Sequence, residues 1–175
     1  MRHILCVAVT LLIGLASCSK KGNTPAPLQP GTVSFQYNGT TLAWVGTVDT
    51  LSDIQITAVG VLPGSTDTSQ FYLELENPNI YYDAGLTGAF NDTNFTNGNL
   101  VELASFWDVS TNSVYYDVQN LGLPVNGGGH PFLVDVTENS PQLLTGTFSG
   151  YLYLSTGSTT DTLIDITNGR FSLAQ

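Results

Sequence analysis

His130, between Gly129 and Pro131 in a glycine-rich run, is the one histidine beyond the first three residues, so a Ser/His/Asp triad would have to use it. No Gly-x-Ser-x-Gly elbow accompanies it, and a base without a positioned nucleophile carries no hydrolysis. One imidazole and no thiol after Cys18 leave a zinc site with carboxylates alone. Carboxylates are plentiful, but a glycosidase needs two of them facing a sugar from different sides. Glu74 and Glu76 lie two apart on a strand and point the same way. The sequence therefore reads as that of a non-enzyme.

Two binding chemistries remain. The run Asp92-Thr-Asn94-Phe-Thr-Asn97-Gly98 offers oxygen ligands for a hard cation, with Asp92, Asn94 and Asn97 as candidate calcium ligands. Its spacing departs from an EF-hand, since glycine comes one place late and Leu103 stands at the twelfth position. It reads equally as an Asn-rich turn. No organic cofactor is called for.

The second chemistry is a carbohydrate platform, in which rings stack on the apolar face of a sugar while acids take its hydroxyls. If Phe71, Leu73 and Leu75 turn inward, Tyr72, Glu74 and Glu76 turn outward. With Val114, Tyr116 and Val118 inward, Tyr115 and Asp117 face out. The same alternation exposes Phe106 beside Glu102 and Asp108, and Tyr151 with Tyr153. The candidate ligand-binding set is thus Tyr72, Glu74, Phe106, Asp108, Tyr115 and Asp117. Aromatic cross-strand pairs also stabilise sheets. The feature that separates the two readings is three or more rings on one sheet face.

These residues must be carried by strands, because the chain alternates with a period of two and has no amphipathic helix. Val33, Phe35 and Tyr37 alternate up to the hairpin signal Asn38-Gly39, after which Leu42, Trp44 and Val48 resume. Strands follow at Ile54 to Ala58, Phe71 to Leu75, Val101 to Val109, Val114 to Val118, Phe132 to Val136 and Leu144 to Leu154. A last pair, Thr162 to Ile166 and Arg170 to Leu173, is joined by Asn168-Gly169. Residues 83 to 99 read as a long loop or two short edge strands. Turn signals at this spacing predict an all-β, antiparallel β-sandwich of about nine or ten strands, with a β-barrel as the alternative.

Charge removes further classes. All 14 acidic residues lie at or after Asp49, and the basic ones are Arg2, Lys20, Lys21 and Arg170. From Gly31 onward one cation faces fourteen carboxylates, a net −13 with His130 neutral. Nucleic acid requires clustered Lys and Arg, so it is excluded as a partner, as is adsorption to anionic lipid.

The beginning of the chain supplies another route to a membrane. Arg2 precedes an apolar run from Ile4 to Ala16, shorter than the roughly 20 residues of a transmembrane helix, and Leu15-Ala16-Ser17-Cys18 follows. That tetrad resembles a bacterial lipobox, which predicts a signal peptide over 1–17 and lipidation of Cys18. Two or three acyl chains anchor firmly, at about 0.8 kcal/mol per buried methylene. Residues 18–30, with Pro25, Pro27 and Pro30, read as the lipidated cysteine and a tether, and 31–175 as a single β-domain. Cys6 leaves with the leader, so no disulfide forms within a mature chain.

The last third carries a family resemblance. Phe132-Leu-Val-Asp-Val-Thr-Glu138, Leu144-Thr-Gly-Thr-Phe-Ser-Gly150 and Ile166-Thr-Asn-Gly-Arg-Phe171 resemble small secreted lipoproteins of Bacteroidota from uncharacterised β-rich families, with their Gly-x-Phe and Ile-Thr-Asn-Gly-x-Phe hairpin. Phe35-Gln-Tyr-Asn-Gly39 followed by Trp44 is similar to their opening; the middle of the chain is not. The resemblance implies lipidation, a cell-envelope location at the outer membrane and a β-fold, and no reaction. In that lineage acidic residues just after the cysteine favour surface export; Ser19-Lys20-Lys21-Gly22 departs from this and leaves the membrane face open. The lineage also glycosylates Asp-Thr-aliphatic triplets, which Asp49-Thr50-Leu51 and Asp161-Thr162-Leu163 match. The expectation is a non-catalytic envelope lipoprotein whose partner is a glycan or another envelope protein.

Overall fold

Asn38 and Gly39 both adopt positive φ, 46° and 81°, as a type I′ turn demands, and they join β1 (Thr32–Tyr37) to β2 (Thr40–Asp49). The computed structural model describes residues 26–50, 53–77, 86–92, 98–117, 121, 131–155 and 163–175. Cys18 and its leader, Lys20, Lys21, Asn94, Asn97, His130 and Thr162 lie outside them. The next strands are β3 (Ile54–Val61) and β4 (Thr68–Glu76). Between them Gly64, at φ 82°, follows Pro63, and the Ser65 amide donates to the Leu62 carbonyl at 3.0 Å, the pattern of a type II turn. Then come β5 (Gly88–Asn91), β6 (Leu100–Asp108), β7 (Ser113–Tyr116), β8 (Leu133–Ser140), β9 (Leu143–Leu154) and β10 (Leu163–Ala174).

All ten strands belong to one mixed sheet, all-β and sandwich-like, that does not close as a regular barrel. Its pairings nevertheless form a circuit: β1, β2, β3, β4, β6, β7, β9, β10 and back to β1. Between β6 and β9 the sheet forks. At one end β7 bridges them, and at the other β5 and β8 do, with β5 meeting β6 through the single parallel pairing of Asn91 with Leu100.

The core lies inside this circuit and is rich in rings. Phe148 on β9 stacks on Phe71 of β4, with centroids 5.0 Å apart and planes 14° apart, and also meets Phe35, Phe132 and Phe171. Phe106 packs against Trp44 and Tyr37 at 5.7 and 5.1 Å. Burial of this apolar surface is the main term favouring the fold.

One expected hairpin is absent. Asn168-Gly169 does not reverse the chain: β10 is one strand, and both its halves pair with β9 in the same direction. Asn168 takes a φ of 52° and makes a bulge, so the register skips from Ile166 opposite Gly150 to Gly169 opposite Phe148. The Asn168 amide then donates to Gln36 Oε1 on β1 at 2.8 Å. Gly169 has no Cβ because one there would lie 2.5 Å from the Phe148 carbonyl oxygen.

Candidate functional site

The side-chain alternation expected of β4 holds. Phe71, Leu73 and Leu75 are buried on β4, and Tyr72, Glu74 and Glu76 face outward and are half-exposed. The rest of the expected platform is overturned: Phe106, Asp108, Tyr115 and Asp117 are 0%, 6%, 7% and 0% exposed. The cause is a bulge at Glu102, where the register against β4 slips between Glu74 and Leu75. Beyond it Ala104, Phe106 and Asp108 face the core, while Ser105 and Trp107 face out. Cross-strand partners share a face, so Tyr115, opposite Phe106, is carried inward with it. Tyr153, opposite Tyr116, is on the outer side yet only 2% exposed, and Tyr151 is half-buried.

The buried acids have structural work. Asp108 Oδ1 accepts from the Ser110 amide at 3.0 Å and its hydroxyl at 2.6 Å, closing the turn into β7. Asp117 Oδ2 accepts from the Ala104 amide at 2.5 Å, while the Asp117 amide donates to the Ala104 carbonyl at 2.9 Å.

Trp107 and Tyr116 replace Phe106 and Tyr115 in the outward set. Tyr72 is opposite Ser105, and Ser105 is opposite Tyr116, so the two tyrosines stand two strands apart, about 10 Å at the backbone. Trp107, 43% exposed, lies on the strand between them, one outward position along. Ser105 leaves the middle of this triangle low. In the Trp107 row, the register continues through Gln70 to Val59, which is 42% exposed, and on its other side to Val114. The margin beyond Trp107 is therefore apolar.

The opposite margin is acidic. Both oxygens of Glu74 are held, Oε1 by the Gln55 amide at 2.7 Å and Oε2 by the Tyr72 hydroxyl at 3.1 Å. Burial, the Glu74 charge and that hydrogen bond push the Tyr72 phenol up to about 12, so it stays protonated and fixed. Glu102 is pushed up to about 7 by burial first, then by Glu76, Glu74 and Asp53 around it, and it shares a hydrogen bond with Glu76. Two carboxyl groups in contact are closer than the roughly 5 Å of a retaining glycosidase pair.

A raised folded-state pKa means that folding takes up this proton. The stabilisation is complete below the ordinary carboxylate range and is lost as pH rises toward about 7. Replacing Glu102→Gln removes the like-charge contact. In thermal unfolding the variant should melt about 1–2 °C above the parent at pH 8 and level with it at pH 4, the gap shrinking with salt because the site is exposed.

The calcium expectation falls partly on described residues. Asp92, just beyond β5, is 2% exposed, and neither carboxylate oxygen has a hydrogen-bond partner. Burial raises its pKa to about 6; the amides of Phe132 and of Asp92 itself lie near enough to ease ionisation without reaching hydrogen-bond geometry, and Asp117 opposes it. No group of three or more His, Cys, Asp or Glu that could hold a metal forms among the described residues.

A groove of about 850 Å³ crosses the outer side of β8, β9, β10 and β1, with Asp135, Thr147, Arg170 and Gln36 among its walls. Arg170 is already engaged there: its guanidinium donates to the Ala26 carbonyl at 3.0 Å, and the Gly31 amide donates to Ser172 at 2.7 Å. The segment leading into the domain is thus fastened to β10. Comparison with family models, curated proteins and solved structures finds no match.

Proposed function

We propose that the chain is an envelope lipoprotein of the Bacteroidota type, cleaved before Cys18 and held by lipid, whose β-domain is a non-catalytic binding module. The ligand class that its outer face fits is glycan. The observation that carries this reading is the set Tyr72, Trp107 and Tyr116 on the three strands β4, β6 and β7, beside a Glu74 already oriented by Gln55 and Tyr72. Rings stack on the C–H face of a pyranose, and a fixed carboxylate accepts its hydroxyl protons without an ordering cost on binding.

The attachment of the tether supports the same face. It is fastened to β10, and in the strand circuit β4 is four steps from β10 in either direction. A lipid on Cys18 would thus join the domain at β10, across the strand circuit from Tyr72, and leave that face clear for soluble or wall-bound ligand.

The test is a glycan array followed by calorimetry on the purified protein, alongside Trp107→Ala and Tyr116→Ala. Neither residue belongs to the core cluster, so both variants should fold. Truncating a Trp or Tyr anchor costs about 2 kcal/mol, so each should weaken binding roughly thirtyfold, and Tyr115→Phe should leave it unchanged. Absence of glycan binding, or equal binding by both alanine variants, would overturn the glycan reading and leave a protein partner or a structural role.

A further inference from the structure

Where the sheet forks, β6 changes neighbours. Ser105 to Asp108 pair with β7, Ala104 bonds Asp117 just beyond it, and Leu100 pairs with β5, so among the described residues no strand pairs with Val101 to Leu103 on that side. Two acidic side chains close the gap from its two ends. Asp117 follows β7 and takes the Ala104 amide; Asp92 follows β5, where its own amide donates to the Phe132 carbonyl at 3.3 Å. The Asp117 charge acts on Asp92.

Such a pair is costly as it stands. Asp92 is 2% exposed with both oxygens sealed from solvent and unpartnered, and it feels the charge of Asp117, which is itself 0% exposed. Buried anions in native proteins are paired or bind cations. Arg170 is the one cationic side chain among the described residues; it is on β10, in another part of the circuit, and is bonded to the Ala26 carbonyl.

We propose that Asp92 and Asp117 form a cation site that pins the fork of the sheet, and that its ligand is a hard divalent ion of calcium size. Asp92 offers two unpartnered oxygens, Asp117 adds a carboxylate that also accepts from the Ala104 amide, and backbone carbonyls with water would complete the six to eight that calcium takes. Magnesium is disfavoured, because it demands a compact octahedron and keeps its own waters. Imidazole- or thiolate-preferring metals have no suitable donor among the described residues. The ion neutralises Asp92 and ties β5 and β8 to β6 and β7.

The experiment is thermal unfolding of the chelator-treated protein at pH 7.5 with calcium or magnesium, together with equilibrium dialysis against calcium. The expected result is one calcium per chain and a midpoint that rises by several degrees at about 1 mM calcium and far less with magnesium. Asp92→Asn keeps the shape and has no hydrogen bond to lose. It should melt above the metal-free parent, since a buried charge is gone, and should no longer respond to calcium. Zero calcium in dialysis, no calcium-dependent shift in the parent, or the same shift in Asp92→Asn would each overturn the site. Dialysis decides the matter on the unaltered protein even if the variant does not fold. The glycan reading is decided separately, since its readout is the loss of glycan binding in Trp107→Ala and Tyr116→Ala and not the uptake of calcium.

Discussion

Phe148→Ala is expected to remove about 3–5 kcal/mol of stability, the range for emptying a buried phenylalanine position. The ring is 4% exposed and touches Phe35, Phe71, Phe132 and Phe171, rings from β1, β4, the residue just before β8, and β10. No neighbour can collapse into the space without leaving another ring unsupported. Against a total of about 5–15 kcal/mol for a domain, such a loss leaves a large unfolded population at ordinary temperature. Urea unfolding followed by Trp fluorescence measures it directly, because Trp44 is core and Trp107 is not. A loss under 1 kcal/mol would mean that the cluster is loosely packed and that the ring stacking described above is not what holds the two sides of the sheet together.

Gly146→Ala is expected to be nearly as damaging although it adds one carbon. A Cβ at this position would stand 2.3 Å from Phe171 Cζ and 2.4 Å from the Asp135 carbonyl oxygen. A ring edge can rotate aside, but the backbone of β8 is held by its pairing with β9 at Asp135 and Val136, so it cannot. Overpacking of this kind costs about 1–3 kcal/mol, and the backbone clash places this case at the upper end. The check is a urea midpoint lowered with an unchanged slope. Gly146→Ala with Phe171→Leu should not recover the parent, because the carbonyl contact persists; full recovery would show the ring alone to be the obstacle.

Much of the architecture was legible in the sequence because the inward positions of β1 to β4 are strongly apolar and their partners polar. Val33, Phe35, Leu42, Trp44, Ile54, Ile56, Phe71, Leu73 and Leu75 are all buried as their alternation indicates. The turns Asn38-Gly39 and Pro63-Gly64 fall where their dihedral preferences place them. Legibility failed in β6, where Leu100, Val101, Leu103, Ala104, Phe106 and Trp107 make both faces apolar and the period of two has no preferred phase. A bulge at Glu102 then sets the phase, and nothing in a single sequence marks a bulge without glycine. The error passed to β7 intact, since Tyr115 takes its face from Phe106. The signal that could have found the true face was Asp108-Val-Ser110, an Asx-type turn whose acid is spent on backbone rather than ligand. Likewise Asn168-Gly169 has the composition of a reversal and forms a bulge, because β9 on one side and β1 on the other hold the strand to its course.

The pairing of β1 with β10 has a consequence for how the chain comes to be folded at all. The first strand of the domain is bonded on one side to the hairpin partner that follows it and on the other to the last twelve-residue strand. Until the final residues emerge, β1 keeps an open edge and the core rings Phe148 and Phe171 are missing one after the other. Contacts so distant in sequence form slowly, after the loops between them have been closed. A chain delivered from its beginning therefore cannot lock prematurely while its end is still in transit, and a chain cut short by even its last strand presents β1 and β9 as unpaired edges ready to join another copy.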